Sequence, residues 1–540
     1  MTSARRLATA NIGFSVAAFG VASAMALMQA VSRANLELPW RSPQMYYLSV
    51  TAHGVLMALV FTTFFIMGLG VAFTAHALDR PLRWPRLAWA SFWVALAGTL
   101  AALWAIFWGK ATVLYTFYPP MQAHPAFYIG LTLLVVGSWI WSAVIIATYR
   151  AWRAEHREAP APLAVFGMLA TIIVWLISTV GVAAEMLLQL IPWSLGWTKT
   201  VDPLLARMLF WYFGHPLVYF WLLPAYVVWY TVLPKVSGGK LFSDPLGRMV
   251  FALFILLSTP VGFHHQFMDP GISSGWKLVH TFNTLGILFP SFVTAFTITA
   301  SLEIAGRSRG ATGLFDWLGK LRWGDPLVAS VLLSMLLFAV GGFGGAINAS
   351  YGMNSMVHNT AWIQGHFHLT VGSAVALTFM GTAYWLVPKL VRRELELSLL
   401  AKVQPYLWFM GMLLFSISNH ITGLMGMPRR IYDAGYQGSA VAETWTSLTG
   451  VSALGGVFLF TSAAFFLLVM VGTVLAGRPT TDTTLAFAEP LEGQPTKRIL
   501  FDRLGLWVLA AIVLVLIAYA YPLADHLRMQ TYGSPGFRPF

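Results

Sequence analysis

An all-α bundle that crosses a membrane about thirteen times is the fold this chain predicts. Three features point to it. Of 540 residues, 58% are apolar and only 10% are charged, where soluble domains carry about a quarter charged residues. The apolar residues fall into runs of about 20, each long enough to cross a bilayer. Basic residues gather in alternate loops between those runs.

The candidate helices lie at 12–32, 44–75, 87–109, 125–149, 163–192, 205–234, 249–267, 278–303, 324–348, 360–388, 404–424, 447–476 and 504–522, separated by charged or Pro/Gly-rich breaks. The first follows Arg5 and Arg6 and ends in "VASAMALMQA", the outline of a secretory signal. With twelve more spans behind it, it reads as a first membrane helix. No segment between spans is long enough to fold alone and no internal repeat is visible, so residues 1–540 form one unit. With the N-terminus placed inside, the inner segments (the N-terminus, 76–86, 150–162, 235–248, 304–323, 389–403 and 477–503) hold 23 of the 33 Lys and Arg residues, leaving 10 outside. Basic loops stay on the cytoplasmic side, so the N-terminus is expected inside and the C-terminus outside. The same bias accounts for the net charge of +13 without any nucleic acid. Cysteine is absent, which excludes disulfides, thiolate metal sites and Cys-bound clusters in this chain.

Histidine is costly inside a bilayer, and intramembrane ionisable groups are functional by default. Of the thirteen histidines, His76, His156 and His526 fall in expected loops or the tail and read as solvated. The others cluster. In "GHPLVYFWLLPAYVVWY", His215 and Tyr219 stand at i and i+4 and share a helical face. In "GFHHQF", His264 and His265 are adjacent at the end of a span. Three imidazoles from neighbouring spans, with neither Cys nor paired carboxylates, suit copper or zinc. In "QGHFHLT", His366 and His368 are two residues apart, about 200° around a helix turning 100° per residue. They serve one metal poorly and two cofactors, one on each side, well. Haem iron takes axial imidazole, and His53, alone inside the second span, supplies a second ligand for a six-coordinate haem. Arg429 and Arg430 in "GMPRRIYD" read either as a plain interfacial pair or as partners of haem propionates.

At these residues the sequence resembles subunit I of the haem–copper terminal oxidases. The likeness runs through nearly the whole chain, carried by "HGVLMALVF", "GHPLVYFWLLPAY", "PVGFHHQFMDPGI", "HNTAWIQGHFHL" and "PRR" in that order. The resemblance implies two haems and one copper ion, with the haem type (a, b or o) undetermined. His53 and His368 would ligate a low-spin haem, His366 the high-spin haem, and His215, His264 and His265 the copper. Tyr219 resembles the tyrosine covalently joined to the first copper histidine. Trp211, Tyr115 and His358 resemble residues lining the high-spin haem and its propionates. Asn354 stands where relatives tend to place an acid near a propionate, a departure that puts proton loading there in doubt.

The match is closer to the B class of cytochrome c oxidases than to the A class. Leu217 replaces the glutamate after His-Pro, and Thr294 stands at the place of the A-class lysine. What remains is a set of hydroxyls resembling the single B-class proton channel: Tyr226 and Tyr230 below Tyr219, then Thr284, Ser291, Thr294 and Thr297, with Ser243 near the inner mouth. Hydroxyls both donate and accept hydrogen bonds. Serine and threonine in membrane helices also bond commonly to backbone carbonyls, a reading that competes at each position.

The implied activity is reduction of O2 to water with proton uptake from the inside and proton pumping, in a bacterial or archaeal cytoplasmic membrane. The implied partners are a subunit II carrying a binuclear copper centre that this Cys-free chain cannot build, with cytochrome c or a similar donor, or else a quinol site in place of that centre, and a small membrane subunit. Two rivals stand beside this reading. A nitric oxide reductase of the same superfamily would carry extra glutamates near the metal and no such tyrosine, and a membrane transporter would bind no haem.

Overall fold

The computed structural model describes residues 2–36, 39, 41–529 and 531–540. Twelve helices among them are long and apolar enough to cross a membrane. Numbered in chain order together with one shorter helix, they are α1 (Ser3–Arg33), α2 (Pro43–Ala77), α3 (Pro85–Phe107), α4 (Pro125–Glu155), α5 (Leu163–Ser194), α6 (Pro203–Val236), α7 (Asp244–Leu257), α8 (Ser274–Arg307), α9 (Pro326–Ala349), α10 (Ala361–Val391), α11 (Ser398–Leu424), α12 (Ala440–Ala476) and α13 (Leu504–Arg528). Many open with Pro at the first turn, where its missing N–H costs nothing. A side-chain cap often precedes it: Asp202 accepts from Leu204 N and Leu205 N at 3.0 Å, and Asp325 accepts from Leu327 N at 2.9 Å.

One expected span is broken. The run 249–267 becomes a 14-residue helix, α7, followed by the 3-10 turn Gly262–Gln266. Pro260 has no N–H to give a helix and disfavours helical geometry at Thr259. At Gly262 a Cβ would press on Trp211 O and sit 2.5 Å from Tyr519 Oη, so only glycine lets the chain pass there. The histidine pair therefore rides on a turn.

Residues at the centre of the bundle are apolar on every side, and those at its edge keep apolar groups outward. In α6, 94% of the membrane-length window is buried, against 22% in α13. That gradient puts α6 at the core and leaves Leu509, Leu516 and Ile517 of α13 exposed, as a lipid-facing surface requires. Close helix approach is bought by small residues: a Cβ on Gly98 of α3 would lie 2.5 Å from Gly130 O of α4, and one on Gly130 would lie 2.5 Å from Gly98 O.

Wide π-helical turns interrupt three helices, at Leu56–Phe61, Met186–Leu190 and His368–Leu377. The second precedes Pro192, whose absent N–H loosens the local ladder. The first starts three residues after His53 and the third at His368 itself, a placement typical of π-bulges at functional sites.

The tail folds back. Thr200–Val201 (β1) pairs antiparallel with Ser534–Pro535 (β2), and Arg538 Nε donates to Gln122 Oε1 at 2.8 Å. His526, expected to be solvated, is buried, with its Nε2 2.8 Å from Asp202 Oδ2. The cap of α6 and the end of α13 are thus joined across the loop.

Replacing Gly130 with Leu drives α3 and α4 apart. Overpacking of this kind costs about 1–3 kcal/mol, so the purified variant is expected to unfold at a lower temperature in detergent; an unchanged melting profile would contradict the packing described.

Candidate metal centre

α10 carries the central pair. His366 turns toward α9, where its Nδ1 lies 3.0 Å from Gly341 O, and His368 turns toward α2 and α11, with its ring 4.6 Å from Phe415. The two rings point to opposite sides of one helix, as their spacing predicts. Gly344 makes room for His366, since a Cβ there would lie 2.6 Å from its Nδ1.

His53 on α2 faces His368. The two imidazoles are parallel, at 0° between planes and 6.3 Å between centroids. His53 Nδ1 is 3.0 Å from Ala22 O, and His368 Nδ1 is 2.8 Å from Gln364 O. A carbonyl only accepts, so each Nδ1 carries the hydrogen and each Nε2 keeps its lone pair. That is the tautomer a ligating imidazole needs, with its other nitrogen pinned by a second partner. His366 meets the same condition through Gly341.

On the other side of α10, His215, His264 and His265 offer ligand atoms within 4.8 Å of one another. His215 Nδ1 lies 3.0 Å from His265 Nε2. Two nitrogens each about 2.0–2.1 Å from one ion would stand at about this separation. Among the described residues no carboxylate joins the group. His264 Nδ1 donates to Thr284 Oγ1 at 2.9 Å, and that hydroxyl donates to His280 O at 2.6 Å, leaving His264 Nε2 for the metal. Tyr219 Oη is 2.8 Å from His215 Nε2, so His215 retains Nδ1 as its only free nitrogen. Trp211 stacks on His265 at 3.8 Å and 11°.

A cavity of about 690 Å³ joins all of these groups. It is walled also by Tyr115, Arg429 and Arg430. Arg430 stands over the Tyr115 ring at 4.9 Å, and its Nη2 is buried without a partner among the described residues. Arg429 is outside the spans, and burial, with Arg430 beside it, pulls its guanidinium down to about 10. Two adjacent half-buried cations, with no acid paired to them among the described residues, are suited to receive anionic groups. Paired imidazoles, free Nε2 atoms and this cationic wall all fit haem with its propionates. His358 and Asn354 do not line the cavity; they sit on and just after the short helix Tyr351–Val357, where Asn354 Nδ2 donates to Asn348 O at 2.8 Å and its Oδ1 has no partner among the described residues.

The hydroxyl ladder forms in part. Tyr226 Oη donates to Ser291 Oγ at 3.4 Å and Tyr230 Oη to Thr294 Oγ1 at 3.1 Å. Thr297 Oγ1 bonds to Val293 O, the competing backbone arrangement. Ser243 Oγ accepts from Leu246 N at 3.4 Å as the cap of α7. Thr284 serves His264. Sequence reasoning missed three groups. Arg33, buried in the cavity wall, donates to Gln364 Oε1 at 2.6 Å. Asp269 pairs with Arg207 at 2.7 Å beyond the histidine turn. His280, wholly buried, backs that turn; a histidine inside an expected span was its visible signal.

This constellation has known counterparts. Residues 6–458 match the family described as "Cytochrome C and Quinol oxidase polypeptide I". The chain belongs to that family. It is 42% identical to cytochrome c oxidase subunit 1 of Thermus thermophilus, over 92% of this chain and 89% of the relative. Identity to the Synechocystis cytochrome c oxidase subunit 1 is 27%, over 74% of this chain and 73% of that one. A solved structure of a heme-copper terminal oxidase dimer matches with a TM-score of 0.94 at 39% identity, covering 99% of this chain and 95% of that one. The family and the all-helical membrane fold expected from the motifs are borne out.

Elemental analysis of purified protein is expected to find one copper per chain. The double substitution His264→Ala, His265→Ala should abolish it; retained stoichiometric copper would exclude the triad as its site.

Proposed function

We propose that this chain is the catalytic subunit of a terminal respiratory oxidase that reduces O2 to water and pumps protons. The observation that carries the reading is the division of labour on α10: His368 faces His53 in a parallel pair suited to a low-spin haem, and His366 faces the side of the copper triad. When bound, two haems and a copper supply the electrons and hold the oxygen that is reduced. The residues of the chain do the rest.

His53, His366 and His368 present Nε2 lone pairs because backbone carbonyls hold their Nδ1 hydrogens. Arg429 and Arg430 receive the propionates. His215 Nδ1, His264 Nε2 and His265 Nε2 hold copper. Tyr219 stands at the centre with a transferable hydrogen on Oη, and the ring-to-imidazole link expected at His215 would fix it there. Below it, Tyr226 with Ser291 and Tyr230 with Thr294 provide hydroxyl pairs for a wet proton path from the inside. Ser243, Thr297 and Thr284 are assigned to its margins, and Trp211, Tyr115, His358 and Asn354 to the surroundings of the high-spin haem. With α7 and its 3-10 turn together counted as the thirteenth crossing, the N-terminus lies inside and the C-terminus outside, and the path opens to the cytoplasm. Each charge carried outward stores about 2.3 kcal/mol per 100 mV.

Without cysteine the chain cannot build a binuclear copper acceptor, so a subunit II bearing one is the expected partner, with cytochrome c as donor, a small membrane subunit beside them, and a prokaryotic cytoplasmic membrane as the location. The nitric oxide reductase reading is not favoured, because the triad lacks a glutamate among the described residues and Tyr219 is present.

The absorption spectrum of reduced, solubilised protein is expected to show two haems, of which carbon monoxide perturbs one; absence of haem bands would end the oxidase reading. Tyr219→Phe should keep both haems and the copper and lose nearly all oxygen consumption. A linked peptide Met208–Lys235 should be lighter by two hydrogens than its sequence mass, a loss absent in that variant.

A further inference from the structure

Two of the three copper imidazoles are carried by a segment without helical support. α7 ends at Leu257 and α8 begins at Ser274, and the 3-10 turn between them cannot hold a ligand geometry by its own backbone bonds. What holds it comes from side chains of two other helices, α8 and α13. Tyr519 Oη accepts the Gly262 N–H at 3.0 Å and donates to Thr259 O at 3.2 Å, bracketing Pro260 from both sides. His280 Nδ1 accepts the Phe263 N–H at 3.2 Å, and its Nε2 donates to Ala518 O at 3.2 Å. Since a backbone N–H only donates and a carbonyl only accepts, His280 is fixed as the neutral Nε2–H tautomer. Its ring stacks on Phe263 at 4.3 Å and lies 4.9 Å from the Tyr519 ring. Both residues are buried. One turn further, Asn283 Nδ2 donates to Pro260 O at 3.0 Å.

We propose that His280 and Tyr519 are positioning residues of the copper centre, making the outermost helix α13 the arm that sets where His264 and His265 stand relative to His215. This rests on the assignment of copper to the triad. Every donor and acceptor in the bracket is matched, and the residues that follow Gly262 and Phe263 are the ligands themselves. Removing Tyr519 Oη frees the Gly262 N–H and the Thr259 carbonyl together and lets the turn relax. The ring packing against Phe263 stays. The lipid-facing side of α13 plays no part, so Leu516 provides a control on the same helix.

Tyr519→Phe removes only the hydroxyl of the bracket, and His280→Phe removes both ring nitrogens while keeping an aromatic ring, slightly larger, against Phe263. Partners one shell out from a metal ligand typically contribute about 10–100-fold in metal affinity, and a loss in that range is the expected result for copper in both variants, read as copper retained against a graded chelator. The infrared band of carbon monoxide trapped on copper after photolysis is expected to shift or broaden in the copper-loaded variants. Leu516→Ala should match the parent in both measurements. Unchanged affinity and an unchanged band in the two bracket variants would overturn the proposal. So would loss of the low-spin haem spectrum together with copper in both, since that marks a role in folding at large. A parent protein without copper would instead refute the metal assignment beneath it.

Discussion

Each of the imidazoles of His53, His366 and His368 gives its Nδ1 hydrogen to a backbone carbonyl, and the rest of the proposed centre depends on that contact. Inside a bilayer there is no water to orient a ring or to choose its tautomer. Ala22 O, Gly341 O and Gln364 O do both for His53, His366 and His368. The carbonyl fixes the hydrogen on one nitrogen, and the lone pair on the other is then aimed by the same bond. Helix geometry supplies two of these acceptors from neighbouring helices and the third from the preceding turn of α10. The ligand set therefore belongs to the packing of α1, α2, α9 and α10 as much as to the histidines.

Electrostatics follow from the same exclusion of water. An unpaired guanidinium in an apolar wall is expensive, yet Arg429 and Arg430 stand side by side with no carboxylate opposing them among the described residues. The lowering of Arg429 to about 10 by burial and by its neighbour records that cost. A pair kept at such expense is suited to receiving negative charge. Arg33, held by Gln364 and lying 5.7 Å over the Phe415 ring, adds a third cation to the same cavity. Cations on the wall and neutral imidazoles within are suited to different partners: the first to anionic substituents, and the second to metals.

The geometry of this centre was legible in the sequence where it depends on neighbours within one helix. The two-residue step between His366 and His368 and the four-residue step from His215 to Tyr219 translate directly into faces, and the faces are as expected. Hydropathy alone also located every span but one. It failed at 249–267, where apolar residues continue through a Pro and a Gly whose effect depends on Tyr519, 257 residues away from Gly262. His526 was misjudged for a similar reason: its partner Asp202 is 324 residues distant. The pairing of Arg33 with Gln364 spans 331 residues. Local periodicity carries no trace of such contacts. Ser243 and Thr297 show the opposite difficulty, since a hydroxyl in a membrane helix satisfies itself on the nearest backbone group unless a ring or water competes for it.

The broken seventh span shows why a regular bundle would not serve. Adjacent residues on a continuous helix diverge by about 100°, so neighbouring histidines there could not converge on one ion. Ending α7 at Leu257 and lifting His264 and His265 onto a tight turn lets their rings approach to 4.2 Å and meet His215 from α6. The break leaves backbone groups in an apolar setting, where each unmatched one costs several kcal/mol. Side chains from α8 and α13 match them: Tyr519 takes Gly262 N and Thr259 O, His280 takes Phe263 N, and Asn283 takes Pro260 O. Irregular backbone, convergent ligands and distant polar side chains are therefore one requirement met together, and none of the three is stable in the membrane without the other two.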